Sequence, residues 1–266
     1  MMQLPKGYVI IPEALLLKIM NRDSPRGPAR YLIVIILLSL AGGGCSRCSS
    51  DKSKAPASNV EEKHLFGNSV TDINGNSYQV KSIGGQDWFT ENLRVTRFSN
   101  GDPIPEIQDK QTWKKTRTAG LCNFDNDPSS AIRLGTLYNW HAVADPRNLC
   151  PKGWHIPSEQ EWSQLTRFLG GDAVAGGKMK NPGNDRWAWP NSGATNESGF
   201  NAIPNGYRSN AGIFYLLDTY TFFWTSTGYS GEEALSKFLQ NDYDGVTTIE
   251  NDHNFGFSVR CVKDRD

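Results

Sequence analysis

The sequence predicts an α+β domain built from short helices and antiparallel β meanders, and three observations carry that reading. Residues 150–171, CPKGWHIPSEQEWSQLTRFLGG, place a helix-start signal directly before an amphipathic run. Residues 70–89 set short apolar runs on either side of Asn74-Gly75 and Gly84-Gly85. From residue 200 onward, strand-like runs alternate with Asn, Gly, Asp and Ser turns. Early helices, a long loop and a late antiparallel sheet give one α+β layer arrangement.

Taken in order, residues 1–44 read as an N-terminal extension and export signal. Met20 is the better start, because Arg22, Arg26 and Arg30 then form a basic lead to the apolar run 31–41, which is too short for a membrane-spanning helix. Gly42, Gly43 and Gly44 precede Cys45, as small residues precede the acylated cysteine of bacterial lipoproteins. Cys45 is therefore the expected lipid-attachment site, although Gly42 stands where such signals usually carry leucine. Ordinary signal cleavage is the alternative, and Cys48 is a weaker acylation site. Residues 45–65 are polar and read as a flexible tether, which spans about 25 Å as a random coil. The globular domain is expected over 66–266.

The whole chain is charge-balanced, with 28 Lys and Arg against 28 Asp and Glu. Residues 1–44 hold five of the basic and two of the acidic residues, which leaves 23 against 26 and a net charge of about −3 for the remainder. No basic face for nucleic acid is implied.

Within the domain, Asn74-Gly75 supplies the positive φ angles of a two-residue hairpin turn, and Gly84-Gly85 does the same. A three-stranded meander follows, carrying Ile73, Tyr78, Val80, Ile83, Trp88 and Phe89. Residues 100–130 are rich in Pro, Asp and Asn and predict an irregular surface segment with Trp113 and Cys122 as buried points. Residues 135–144 predict a short helix presenting Leu137, Trp140, His141 and Ala144. Ser158 and Glu161 form a capping box, so the central helix begins at Glu159 and presents Trp162, Leu165, Phe168 and Leu169 on one face, with Gly170-Gly171 as its stop. The glycine- and asparagine-rich stretch after Gly171 reads as a loop. Runs at 200–207, 213–217, 220–226, 234–239, 246–249 and 255–262 predict the closing β meander.

Six blocks in one order, DINGNSYQVKSIGGQDWFTENLR, GTLYNWHAV, CPKGWHIPSEQEW, NESGFNAIPNGYR, FFWTST and GFSVRCV, resemble the Fibrobacter succinogenes major paralogous domain from about Asp72 to Asp264. That resemblance implies a secreted or surface-attached bacterial protein and assigns no activity to particular residues. At the level of fold, the element order with a cysteine at each end is similar to C-type-lectin-like domains and to formylglycine-generating enzymes, in which a GxRLPTEAEW run starts a core helix as GWHIPSEQEW does here. Fold similarity transfers no function. The cysteine pair those enzymes use has no recognisable counterpart in this chain.

Cys122, Cys150 and Cys261 are the cysteines of the domain, an odd number. A Cys150–Cys261 disulfide is favoured because it would clamp the start of the central helix to the final strand. Cys122 with either of the others, or no bridge, is the alternative. Scattered cysteines without CxxC spacing do not make a zinc site. His141 and His155 lie outside any HExxH or GxSxG setting and read as core or rim histidines. Glu159 and Glu161 fall on different helix faces, and Glu161 is committed to the cap, so they are a poor acid/base pair.

Binding is the expected role. Loop aromatics stack on sugar rings, and carboxylates with amides accept sugar hydroxyls. Trp187, Trp189, Asp242, Tyr243 and Asp244 are the candidates. The alternative is that both tryptophans cover the core and that NDYDG is only a hairpin turn. The same carboxylates could hold calcium, but neither NDYDG nor ENDHN has an EF-hand spacing and no EPN or QPD triplet occurs, so no cofactor is implied. The expectation is a non-catalytic exported module, lipid-anchored at the outer membrane or cell surface, that binds a polysaccharide or a protein there. A secreted or periplasmic location, an enzyme on a formylglycine-generating-like fold, and a structural envelope or appendage subunit are the alternatives.

Overall fold

Gly75, at φ +83°, closes a hairpin between β1 (Ser69–Thr71) and β2 (Ser77–Ile83), with Thr71 opposite Ser77. Gly84 and Gly85, both at positive φ, turn β2 into β3 (Gln86–Phe89), with Ile83 opposite Gln86. The expected meander forms, but the two-residue turn expected at Asn74-Gly75 is a longer one: Asp72 N–H donates to the Asn76 carbonyl, and Gly75 N–H donates to the Asp72 carbonyl. Of that pair only Gly75 takes positive φ, whereas Gly84 and Gly85 both do. These features come from a computed structural model that describes residues 68–183 and 186–265. The export signal, Cys45 and the tether lie outside the described residues.

The stretch expected to be irregular carries more structure than composition suggested. Asp109 accepts from the Thr112 amide (2.7 Å) and caps α1 (Lys110–Lys115), whose Trp113 is fully buried with Nε1 donating to the carbonyls of Ser209 and Asn254. The strand β4 (Leu121–Cys122) follows, then a short 3-10 turn at Phe124–Asn126 and α2 (Ser130–Leu134). Strand β5 (Leu137–Tyr138) pairs with β4, so the helix expected over 135–144 is confined to α3 (Trp140–Val143), capped by Asn139.

Strand β6 (Trp154–His155) leads into α4 (Glu159–Phe168), where both arms of the Ser158–Glu161 capping box are present. Trp162 and Leu165 are fully buried and Leu169 nearly so, but Phe168 is largely exposed, a correction to the expected face. Phe168 ends the helix and lies across Gly84, where any side chain would come within 2.8 Å of its ring.

A second correction concerns the stretch after Gly171, which is helix α5 (Asp172–Met179) and not loop. Glycine is a poor helix former, but Gly176 and Gly177 are where other backbone crosses this helix. A Cβ on Gly176 would sit 2.1 Å from the Gly245 carbonyl oxygen, and one on Gly177 would sit 2.5 Å from that of Gly193. Close packing outweighs propensity here.

The closing part comprises β7 (Asn205–Arg208), β8 (Phe214–Leu217), β9 (Tyr220–Ser230), β10 (Glu233–Gln240), β11 (Thr247–Asp252) and β12 (Val262–Lys263). Beside the two-stranded β4–β5 sheet, one five-stranded sheet runs β1-β2-β3-β12-β6 and the other β11-β10-β9-β7-β8, antiparallel except where β7 meets β9. The result is α+β, mainly β. Helices α4 and α5 supply Trp162, Leu165, Ala175 and Met179 to a core shared with Trp88 of the first sheet and Phe223 and Leu239 of the second.

The last segment ties the two sheets together. Ser258 exchanges backbone hydrogen bonds with Phe222 and Trp224 of β9, Cys261 accepts from Phe89, and Val262 lies between Trp88 and His155. Cys150 and Cys261 form a disulfide across 111 residues, and Cys122 is a buried free thiol.

His155 completes this join. Its Nδ1 contacts Asp264 (2.6 Å) and its Nε2 contacts Glu161 (2.9 Å), so one imidazole bridges the C-terminal strand to the capping box. The Glu161 contact, with Asp264 behind it, raises the His155 pKa although partial burial opposes the rise. Burial works against ionised Glu161, but hydrogen bonds from His155 and Ser158 hold it down to about 2. A raised folded pKa stabilises fully below the unfolded value of about 6.5 and is lost as pH rises through the folded value. The depressed Glu161 contributes above about 4.5 and fades as pH falls toward 2. The melting-temperature gap between the parent chain and His155→Gln is therefore expected to be widest between about pH 5 and 6.5 and to close at alkaline pH. A gap that stayed constant to pH 9 would contradict the charged bridge.

Candidate functional site

The five predicted binding residues separate in the structure. Trp187 is fully buried in the main core, and its Nε1 donates to the Ala202 carbonyl (3.0 Å). It offers no face to a ligand, and its place among the binding candidates is corrected accordingly. Trp189, two residues on, is 80% exposed.

Trp189 is displayed from a pinned backbone. The Asn241 side-chain amide donates to its carbonyl (3.1 Å), Ala188 N–H donates to the Asp218 carbonyl (2.7 Å), and Ser192 N–H donates to the Asn241 carbonyl (2.7 Å). The same asparagine begins the β10–β11 connection that carries Asp242, Tyr243 and Asp244. These three and Trp189 therefore belong to one neighbourhood, assembled by Asn241.

Helix α5 and the residue after it support this connection from below. Gly177 N–H donates to the Asp244 carbonyl (2.6 Å), an approach that a side chain on the helix would prevent. Lys180 is fully buried, and its ammonium donates to the carbonyls of Gln240 and Tyr243 (2.9 Å each). It lies 5.6 Å from the centre of the Trp187 ring. Burial pushes its pKa down to about 8, and the carboxylates of Asp244 and Asp242 oppose that shift. The connection is thus held at both of its carbonyl corners by one interior cation.

Asp242 is exposed and accepts from the Gln240 amide (2.9 Å), Tyr243 is 41% exposed, and Asp244 is half-buried with its carboxylate against Gly193. An open indole, a half-open phenol and carboxylates with neighbouring amides are groups that can stack on a sugar ring and accept its hydroxyls. Among the described residues, no group of three or more His, Cys, Asp or Glu side chains is placed to hold a metal ion.

Two supports have no signature in the sequence. Lys180 carries no local signal, because its acceptors lie 60 and 63 residues away. Asn241 adjoins the predicted loop but looks like any turn asparagine. The paired glycines at 176–177 were the available clue, since two adjacent glycines inside a helix mark a close backbone approach.

Residues 81–263 match the family model described as Fibrobacter succinogenes major domain. No curated protein and no solved structure matches the chain.

Proposed function

The chain belongs to the Fibrobacter succinogenes major domain family, and from that premise we propose that it is a non-catalytic, exported surface module that binds a polysaccharide or glycan through the Trp189–Tyr243 face. The exposed Trp189 ring on a fixed backbone carries this reading. Solvent contact with a large apolar ring is unfavourable, and fixing its backbone lowers the ordering cost of a partner that covers it. The finer architecture is taken as C-type-lectin-like, supported by the strand–cap–helix unit at 154–168 and the cysteine clamp at its edge. Lipid attachment at Cys45 and a location at the outer membrane or cell surface are part of the same proposal, supported by the sequence of residues 20–65.

Thiol chemistry gives little support to the enzyme alternative. Burial pushes the Cys122 thiol up to about 12, so it carries no thiolate at neutral pH, and the other two cysteines of the domain are joined to each other. His155 is committed on both ring nitrogens to carboxylates that fasten the fold.

A polysaccharide and glycan array probed with the purified chain, once with calcium and once with chelator, tests the proposal. Saturable binding that Trp189→Ala removes is the expected result. Loss in chelator would add a metal-dependent site. A folded chain that binds nothing on the array would replace the glycan with a protein partner or a structural role.

A further inference from the structure

A cleft of about 280 Å³ opens where the chain leaves β3 and passes α2, and among the described residues its lining includes four arginines, Arg94, Arg133, Arg186 and Arg260, against one acidic residue, Glu91. Arg260 is fully buried at its inner end. Its Nε donates to Asn92 Oδ1 (2.7 Å), Nη1 to the carbonyls of Phe89 and Phe200 (2.9 Å each), and Nη2 to that of Asn201 (3.3 Å). Every one of these acceptors is neutral. Among the described residues no carboxylate forms an ion pair with it, and its other contacts are the faces of Phe200 and Phe223. Burial pushes its pKa down to about 9, and Glu91 opposes that shift, so it is still protonated at neutral pH.

A buried cation without an ion-pair partner among the described residues is an unusual thing to retain. Its hydrogen bonds explain part of it, because Arg260 fastens the 89 and 200–201 segments together. They do not explain why three more arginines surround the same opening. Arg94 lies over the Tyr78 ring (4.8 Å) and donates to Asn76 Oδ1 and the Ser77 carbonyl, again neutral acceptors. Arg133 and Arg186 are exposed and make no ion pair or hydrogen bond among the described residues. The carboxylate among the described lining residues is turned to neutral donors, since Glu91 Oε2 accepts from the Gln79 backbone N–H (2.8 Å) and the Thr90 hydroxyl (3.2 Å). Among the described residues positive charge therefore exceeds negative in a concave, partly desolvated place, where the field of one fixed charge reaches furthest. Ile132, 84% exposed beside Arg133, adds an apolar wall.

We propose that this cleft binds a small oxyanion-bearing molecule, a carboxylate or a phosphate, gripped by Arg94 and Arg133 over the fixed charge of Arg260. Guanidinium forks match both oxyanions. The volume of about 280 Å³ is just under the usual range of ligand sites, about 300–1,000 Å³, which suits one small molecule or the last unit of a chain. The site goes beyond the Trp189 face and stands whether or not that face binds glycan.

Calorimetric titration of the full chain at low ionic strength with D-glucuronate, inorganic phosphate and neutral D-glucose tests it. Saturable binding of glucuronate, phosphate or both, with no heat from glucose, is expected, and which of the two binds identifies the anion. Arg133→Glu alters an exposed side chain without a partner among the described residues, so its melting temperature should match the parent while affinity falls roughly tenfold. Arg133→Lys keeps the charge without the fork and should recover only part of the affinity that Arg133→Glu loses. Absence of saturable binding by both anions, or Arg133→Glu binding as tightly as the parent, overturns the proposal.

Discussion

Trp187→Ala is expected to lower unfolding stability by about 3–5 kcal/mol, whereas Trp189→Ala should change it by less than about 0.5 kcal/mol. The two tryptophans are separated by a single alanine and bear the same side chain, so the contrast isolates environment. Removing the Trp187 indole empties a site shared with Trp162, Phe200, Met179 and Leu239, and it leaves the Ala202 carbonyl without its donor. It also uncovers the flank of Lys180, whose ammonium holds the Asp242–Asp244 connection. Removing the Trp189 ring exposes little, because its backbone carbonyl, and not its ring, receives the Asn241 amide. Urea titration of both variants reads the stabilities, and the glycan array reads the binding. Trp189→Ala should lose ligand with its urea midpoint intact. Equal stability loss in the two variants would mean that Trp189 also packs inward, and the proposed binding face would then lose its central feature.

That pair of residues also marks where sequence reading stops. The capping box, the helix from Glu159 and the hairpin at Asn74-Gly75 were legible because each depends on residues within four positions of one another. The central apolar face was mostly legible, since spacing fixes which side of a helix Trp162 and Leu165 share. Phe168 failed because it ends the helix, where the covering partner is a glycine turn 84 residues away and not the core. The motif WAW at 187–189 sits in no helix or strand, so no periodicity could say which ring turns inward. Helix α5 was missed because its glycines argue against helix locally, while the backbone they admit, that of Gly245 and Gly193, is distant in sequence. The arginine cleft is the extreme case. Arg94, Arg133, Arg186 and Arg260 are dispersed over 167 positions, and only the fold brings them to one opening.

Replacing Cys150 and Cys261 together by alanine is expected to cost up to about 4–5 kcal/mol, the figure that chain entropy assigns to a loop of this length. The loop closes 111 residues, and the segment that holds Cys261 is otherwise well fastened. Cys261 accepts from Phe89, Val262 pairs with both Trp88 and His155, and Arg260 grips three backbone carbonyls. These contacts survive the substitution, so the native near-ultraviolet signature should persist while the urea midpoint falls. The loss then resides in the unfolded chain, which is free to expand, and the dependence of unfolding free energy on urea should steepen as more surface is exposed. Both cysteines are fully buried, so reductant should act on the parent only through unfolding, at a rate that tracks opening of the fold. Cys122 supplies an internal control. Its buried thiol, pushed up to about 12, should resist a thiol reagent in the native state and react when urea unfolds the chain. Fast reduction of the parent in native buffer would show that the region around the final segment opens without global unfolding, so that the join between the two sheets is a local hinge, whereas early labelling of Cys122 would show that the β4–β5 pair opens by itself.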